Sequence, residues 1–181
     1  MSSTWEKRRD RLESLPANRL WATRPARRRL VAAGAAALVV LWAGLVVIAQ
    51  YAPSDLARNV YLSMFGVGLV VGLPVISWLH AATRGAMYLP EQYLDERQRT
   101  ERHRAYTSAH GATTAVLALL FVLANFVSWQ QDGPLSITIP LALIGPTALT
   151  LAATHYTMPL LIAGWRLPDL PPDDEDEYED A

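Results

Sequence analysis

The chain has 181 residues, a formal net charge of −1, a 51% apolar composition and no cysteine. Without cysteine there can be no disulfide, thiolate metal site, cysteine-linked lipid or cysteine catalysis. The small net charge excludes nothing, because apolar runs alternate with dense charged stretches of opposite sign. Arginine far outnumbers lysine, as in chains from GC-rich genomes, so the arginines alone do not indicate a phosphate or nucleic-acid site.

Residues 1–29 form a basic N-terminal segment. Lys7, Arg8, Arg9, Arg11, Arg19, Arg24, Arg27, Arg28 and Arg29 are set against Glu6, Asp10 and Glu13. Ser3 and Glu6 have capping-box spacing, and Trp5, Leu12 and Leu15 give a thin apolar stripe. The pattern predicts a short interfacial helix ended by Pro16. Arg24, Arg27, Arg28 and Arg29 adjoin the first apolar run. Basic residues there contribute roughly 1 kcal/mol each against an anionic leaflet, so these four are expected to contact lipid or a partner. Nothing here resembles a fold for base readout, and no nucleic-acid partner is expected.

Four apolar runs follow, at about 30–50, 60–82, 109–129 and 137–165, and none contains Asp, Glu, Lys or Arg. Each is about 20 residues or longer, enough to cross the ~30 Å hydrocarbon core of a bilayer. The first is too long for a signal-peptide core and is expected to stay as an anchor. The pattern predicts an all-α, integral membrane four-helix bundle spanning 30–165, with a cytoplasmic helical connection at 83–108. With four crossings, the N-terminal segment, that connection and the tail share one side, and fifteen of the sixteen Lys and Arg residues lie there. Only Arg58 lies opposite. The positive-inside rule makes the basic side cytoplasmic, with both termini on it. Tyr51, Tyr61 and Trp129 are expected at outer ends, and Trp78 and Trp165 at inner ends, where amphipathic rings favour the headgroup level. Trp42 is mid-run and is expected to pack inside. Asp132-Gly133-Pro134 should close the second outer hairpin.

Close backbone approach holds membrane helices together. Gly68 and Gly72 form a GxxxG motif. It serves either packing within the chain or a homodimer or other membrane-protein face. Ala33 with Ala37, Gly111 with Ala115, and Ala148 with Ala152 repeat the spacing. Pro74, Pro140, Pro146 and Pro159 interrupt the second and fourth runs and should kink them.

The connection Leu94-Asp95-Glu96-Arg97-Gln98-Arg99-Thr100-Glu101-Arg102-His103-Arg104-Ala105-Tyr106 is the most distinctive stretch. Asp95 is a suitable N-cap with Gln98 completing a capping box. Asp95 and Arg99 have favourable i,i+4 order. A helix is expected from about Asp95 straight into the third run, with Asp95, Glu96, Arg97, Arg99, Arg102 and Arg104 offered to a partner or to lipid. This stretch, together with the topology, resembles a loose group of small, mostly uncharacterised bacterial multi-span proteins. They carry a charged "DER"-type helix before a span. The resemblance implies a similar multi-pass architecture and no particular activity.

The tail, 166–181, carries Arg166 against eight acids and few apolar groups, so disorder is expected. No nucleophile set, phosphate loop or metal-ligand cluster is visible, so neither catalysis nor a cofactor is expected. The expected role is a small inner-membrane accessory or scaffold protein presenting charged cytoplasmic segments to a partner or to an anionic bilayer. Two alternatives remain: a small transporter, or a haem- or metal-binding redox protein using His80, His110 or His155, since neutral imidazole ligates such metals.

Overall fold

The computed structural model describes residues 5, 7, 20, 21, 23–83, 86–129 and 141–168. These form four α-helices and no strand: α1 (Arg24–Tyr51), α2 (Asp55–Ala82), α3 (Glu96–Trp129) and α4 (Leu141–Arg166). A short 3-10 turn covers Glu91–Tyr93. α1, α2 and the Glu96–Leu123 stretch of α3 are long and apolar enough to cross a membrane. The expected N-terminal interfacial helix, the Asp132-Gly133-Pro134 hairpin, Pro140 and the acidic tail beyond Pro168 lie outside the described residues.

Local chemistry sets the helix ends beyond the apolar runs. α1 begins at Arg24, not at Leu30, because Pro25 fits a first turn whose N–H groups have no helical partner. It stops after Ala52 N donates to Ile48 O at 3.0 Å. Pro53 follows across a cis peptide. Ser54 then caps α2, its hydroxyl accepting from Ala57 N at 3.1 Å. Asp55 in the first turn suits the helix dipole. This early start carries Tyr61 nearly two turns into α2. Tyr61 is therefore a buried core residue stacked on Phe65 at 6.0 Å, and not the headgroup anchor its sequence position suggested.

α1 packs along both α2 and α4, α4 also packs on α3, and α2 meets α4 over a shorter length. The spatial order is thus α2, α1, α4, α3, with α4 in contact with all three others. The larger core cluster gathers Leu30 and Val31 of α1, Val75 and Leu79 of α2, and Leu160 and Leu161 of α4. Ala163 of α4, with Ala86, Met87 and Ala105 from around the connection, completes it. A smaller cluster of Leu45, Ile48 and Tyr61 lies near the α1–α2 turn. Close approach depends on glycine. A Cβ on Gly68 would stand 2.7 Å from Leu41 Cδ2, and one on Gly34 would stand 2.8 Å from Leu161 Cδ2.

α4 is the most surrounded of the four, touching each of the others. It buries Thr150, Thr154 and Thr157. Two of these hydroxyls turn back onto the helix: Thr154 Oγ1 donates to Thr150 O at 2.7 Å and Thr157 Oγ1 to Ala153 O at 2.8 Å. That keeps polar groups satisfied away from water. Pro74 lies within α2, and Pro146 and Pro159 within α4. α3 is attached differently. Leu117, Leu119, Phe121, Val122, Leu123 and Phe126 are exposed along its second half, an apolar surface that suits hydrocarbon and not water.

Candidate functional site

The basic residues singled out by the sequence divide into two sets at one end of the helices. Arg27 is the departure from expectation. It is 2% exposed, on the same face of α1 as the core residues Leu30 and Val31. Its Nη2 donates to Leu167 O at 2.7 Å and Pro168 O at 3.0 Å, and its Nη1 to Trp21 O at 3.1 Å. The last carbonyls of a helix lack intrahelical donors, and a guanidinium suits them by charge and by its fork of N–H groups. Arg27 therefore acts within the chain, tying the end of α4 to the entry of α1, and is not placed to meet a headgroup.

Arg24, Arg28 and Arg29 are exposed. Arg28 lies over the Trp165 ring at 4.8 Å, a cation–π contact between α1 and α4. Arg166 Nη1 donates to Ser108 Oγ at 3.0 Å, joining α4 to α3. Arg27, Arg28 and Arg166 thus hold the α4 terminus from three directions. The sequence marked Arg166 only as a counted charge.

The connection forms the second set. Gln98 N donates to Asp95 Oδ1 at 2.6 Å and Asp95 N to Gln98 Oε1 at 3.2 Å, the reciprocal capping box the spacing predicted. The helix it starts runs unbroken for 34 residues. The expected Asp95–Arg99 pair gives way to other partners, because Asp95 is engaged by the cap. Arg99 Nε donates to Glu91 O at 3.1 Å, and the i,i+4 ion pair is Arg97–Glu101 at 3.1 Å. Arg102 Nη1 donates to Leu89 O at 2.7 Å and lies 5.7 Å from the Tyr106 ring. Arg99 and Arg102 thereby fasten the 89–91 backbone to α3. Glu96, Arg97 and Arg104 are exposed.

Aromatic rings fill the same end. Trp21 lies 5.8 Å from Trp78, Trp5 lies 5.9 Å from Tyr88, and His80 meets Tyr88 edge-on at 5.8 Å. Sequence reading placed Trp78 at this level but missed Trp21 and Tyr88, which lie outside the apolar runs. The other histidines stand apart from this cluster in exposure: His80 is half-buried, while His110 and His155 are exposed. Among the described residues no group of three His, Cys, Asp or Glu side chains is arranged to hold a metal ion.

Deeper in the fold, Trp42 Nε1 donates to Thr154 Oγ1 at 3.2 Å, a polar link between α1 and α4. Gly68 is buried against Leu41 and Ala37 of α1, whereas the nearest atom to a Cβ on Gly72 would be Ala37 Cβ at 3.9 Å. The GxxxG motif is thus occupied at its first glycine by α1 and open at its second. No protein-family model, curated protein or solved structure matches this chain.

Proposed function

We propose that this is a small accessory or scaffold protein of an inner membrane, crossed four times, with both termini on the cytoplasmic side. Its basic end presents Arg24, Arg28, Arg29, Glu96, Arg97 and Arg104 to a membrane-protein partner or to anionic lipid, and it carries out no catalysis. The observation that supports this reading is the placement of those exposed charges. They stand within the first two turns of α1 and the first three of α3, at one end, while the second half of α3 and one flank of α2 expose large apolar side chains such as Phe121, Phe126, Val67 and Val70. The fourth crossing would be α4, whose 26 residues reach ~39 Å. Its threonines Thr150, Thr154 and Thr157 are buried, so they do not bar it from the bilayer.

Crosslinking in intact membranes followed by partner identification tests the role. The expected result is one membrane protein captured through the basic end and lost when Arg97 and Arg104 are reversed to Glu. Capture that ignores those reversals would overturn it. Reporters fused to Met1 and Ala181 test the topology and should both respond on the cytoplasmic side. The alternatives make separate predictions. A transporter gives solute-dependent uptake in proteoliposomes. A haem protein gives a Soret band that disappears in His80→Ala or His110→Ala.

A further inference from the structure

α4 hands the chain on at Pro168, at a place set by α1. Arg27 Nη2 donates to Leu167 O at 2.7 Å and to Pro168 O at 3.0 Å, so the chain leaves α4 against the first turns of α1. Three exposed arginines, Arg24, Arg28 and Arg166, surround that exit. Arg24 and Arg28 flank Arg27 in sequence and are i,i+4 neighbours, ~6 Å apart along one stripe of α1. Arg28 lies over the Trp165 ring at 4.8 Å, against the last turn of α4. Arg166 stands just before the exit, held to Ser108 Oγ at 3.0 Å. Neither α1 nor α4 contains an Asp or Glu to offset these charges.

The residues that follow carry the opposite sign. Residues 169–181 hold eight acids and no base, and Asp173, Asp174, Glu175, Asp176 and Glu177 are consecutive. Asp173 is five residues beyond Pro168, a reach of at most ~18 Å. The stripe from Arg24 to Arg28 is ~6 Å long, so the tether is long enough to lay the acids across it. A tether this short also keeps them at an effective concentration on the order of millimolar.

We propose that the acidic segment 173–177 folds back onto Arg24, Arg28 and Arg166 and shields the basic end from anionic headgroups. The inference rests on the reading of that end as a docking surface and adds how access to it is controlled. One exposed ion pair shifts an equilibrium about twofold, so three such pairs favour the docked tail by roughly tenfold. Screening shortens the range of these charges to ~3 Å in ~1 M salt, which should release the segment.

The chain has no native cysteine, so Thr23→Cys and Tyr178→Cys give a clean pair of spin labels. Thr23 is exposed and makes no side-chain capping bond. In phosphatidylcholine nanodiscs at low salt, electron–electron double resonance should show a narrow distance population. Its ratio to the broad population should fall about tenfold in ~1 M salt. It should fall equally when 173–177 is neutralised by Asp173→Asn, Asp174→Asn, Glu175→Gln, Asp176→Asn and Glu177→Gln. Arg24→Gln with Arg28→Gln should lower it about fourfold, whereas Arg29→Gln, on the opposite face of α1, should leave it unchanged. Exchanging the charges, Arg24→Glu and Arg28→Glu together with Asp173→Lys, Asp174→Lys and Asp176→Lys, should restore the narrow population. Native mass spectrometry from equimolar phosphatidylcholine and phosphatidylglycerol micelles reads the shielding. The neutralised tail should raise retained phosphatidylglycerol roughly tenfold, and adding Arg24→Gln and Arg28→Gln should remove most of that gain.

A distance distribution that ignores both salt and the neutralised tail overturns the proposal. So does an equal fall with Arg29→Gln, or a phosphatidylglycerol gain that survives the loss of Arg24 and Arg28. If the arginine changes disturb the helices, the tail variants decide, since 173–177 lies beyond α4. If no variant prefers phosphatidylglycerol to phosphatidylcholine, the docking reading fails and the shielding with it, while the labels still judge the tail contact on their own.

Discussion

Replacing Arg27 with alanine removes a guanidinium shared by three backbone carbonyls, those of Trp21, Leu167 and Pro168. Hydrogen bonds to a charged group contribute about 1.5–3 kcal/mol each. The three together set a ceiling of roughly 4–9 kcal/mol if nothing replaced them. The site lies at the end of the helices, where water can reach freed carbonyls at Leu167 and Pro168, both only half-buried. About half of that ceiling is recovered by rehydration, leaving an expected cost of about 2–4 kcal/mol. For a chain of this size each kcal/mol moves the melting point by roughly 2–4 °C. Arg27→Ala should therefore melt about 4–16 °C below the parent in detergent, with the end of α4 becoming sensitive to protease first. Arg27→Lys keeps the charge but not the fork, and should fall between the two. Arg29→Ala is the control: Arg29 is exposed on the opposite face of α1, and its loss should change stability by less than ~0.5 kcal/mol. If Arg27→Ala and Arg29→Ala melt alike, within a degree of the parent, the clamp does not hold α4 and the assignment of Arg27 to an internal role is wrong.

Three further outcomes follow from other contacts. Gly68→Val drives a side chain into Leu41, whose Cδ2 would lie 2.7 Å from the new Cβ. A loss of about 1–3 kcal/mol in denaturant unfolding is expected, while the same change at Gly66, which faces open space, should cost far less. Asp95→Ala removes one half of the capping box and should cost about 1 kcal/mol, read as faster amide exchange over Arg97–Arg99 without change in the apolar half of α3. Thr154→Val breaks the Trp42 hydrogen bond. Such interhelical bonds average about 0.6 kcal/mol in membranes, and a double-mutant cycle with Trp42→Phe should return that coupling, with zero coupling ruling the bond out.

The helices themselves were legible because runs of apolar residues and the Asp95–Gln98 spacing carry local physics that needs no knowledge of neighbours. What stayed hidden depends on which face meets what. Arg27, Arg28 and Arg29 are consecutive and chemically identical, so charge counting treats them alike. Only the phase of α1 against α4 turns Arg27 inward and leaves the other two outside. The exposed apolar flank of α3 was equally hidden, since lipid tails are as apolar as a leucine-lined neighbour and select the same residues. Tyr61 misled for a related reason: the apolar run begins near it, but Ser54 and Asp55 start the helix earlier and bury it. α1, α2 and α4 also leave a crevice of about 70 Å3 lined by Gly34, Gly68 and Leu160. It depends on three helices meeting, and the sequence offered no more than the Gly68–Gly72 spacing as a hint of it.

α3 spans 34 residues without interruption, a rod of ~51 Å. A hydrocarbon core would account for ~30 Å of that length, which would leave roughly 20 Å clear of the oily layer. Arg99 and Arg102 lash the preceding strap of backbone at Glu91 and Leu89 to this protruding handle. A load applied to the handle at Arg97 or Arg104 would also pull on that strap, and through Tyr88 on the ring of His80. A tilt of ~10° about the point of emergence would carry the tip sideways by ~3 Å, a displacement the strap would pass on toward the C-terminal end of α2.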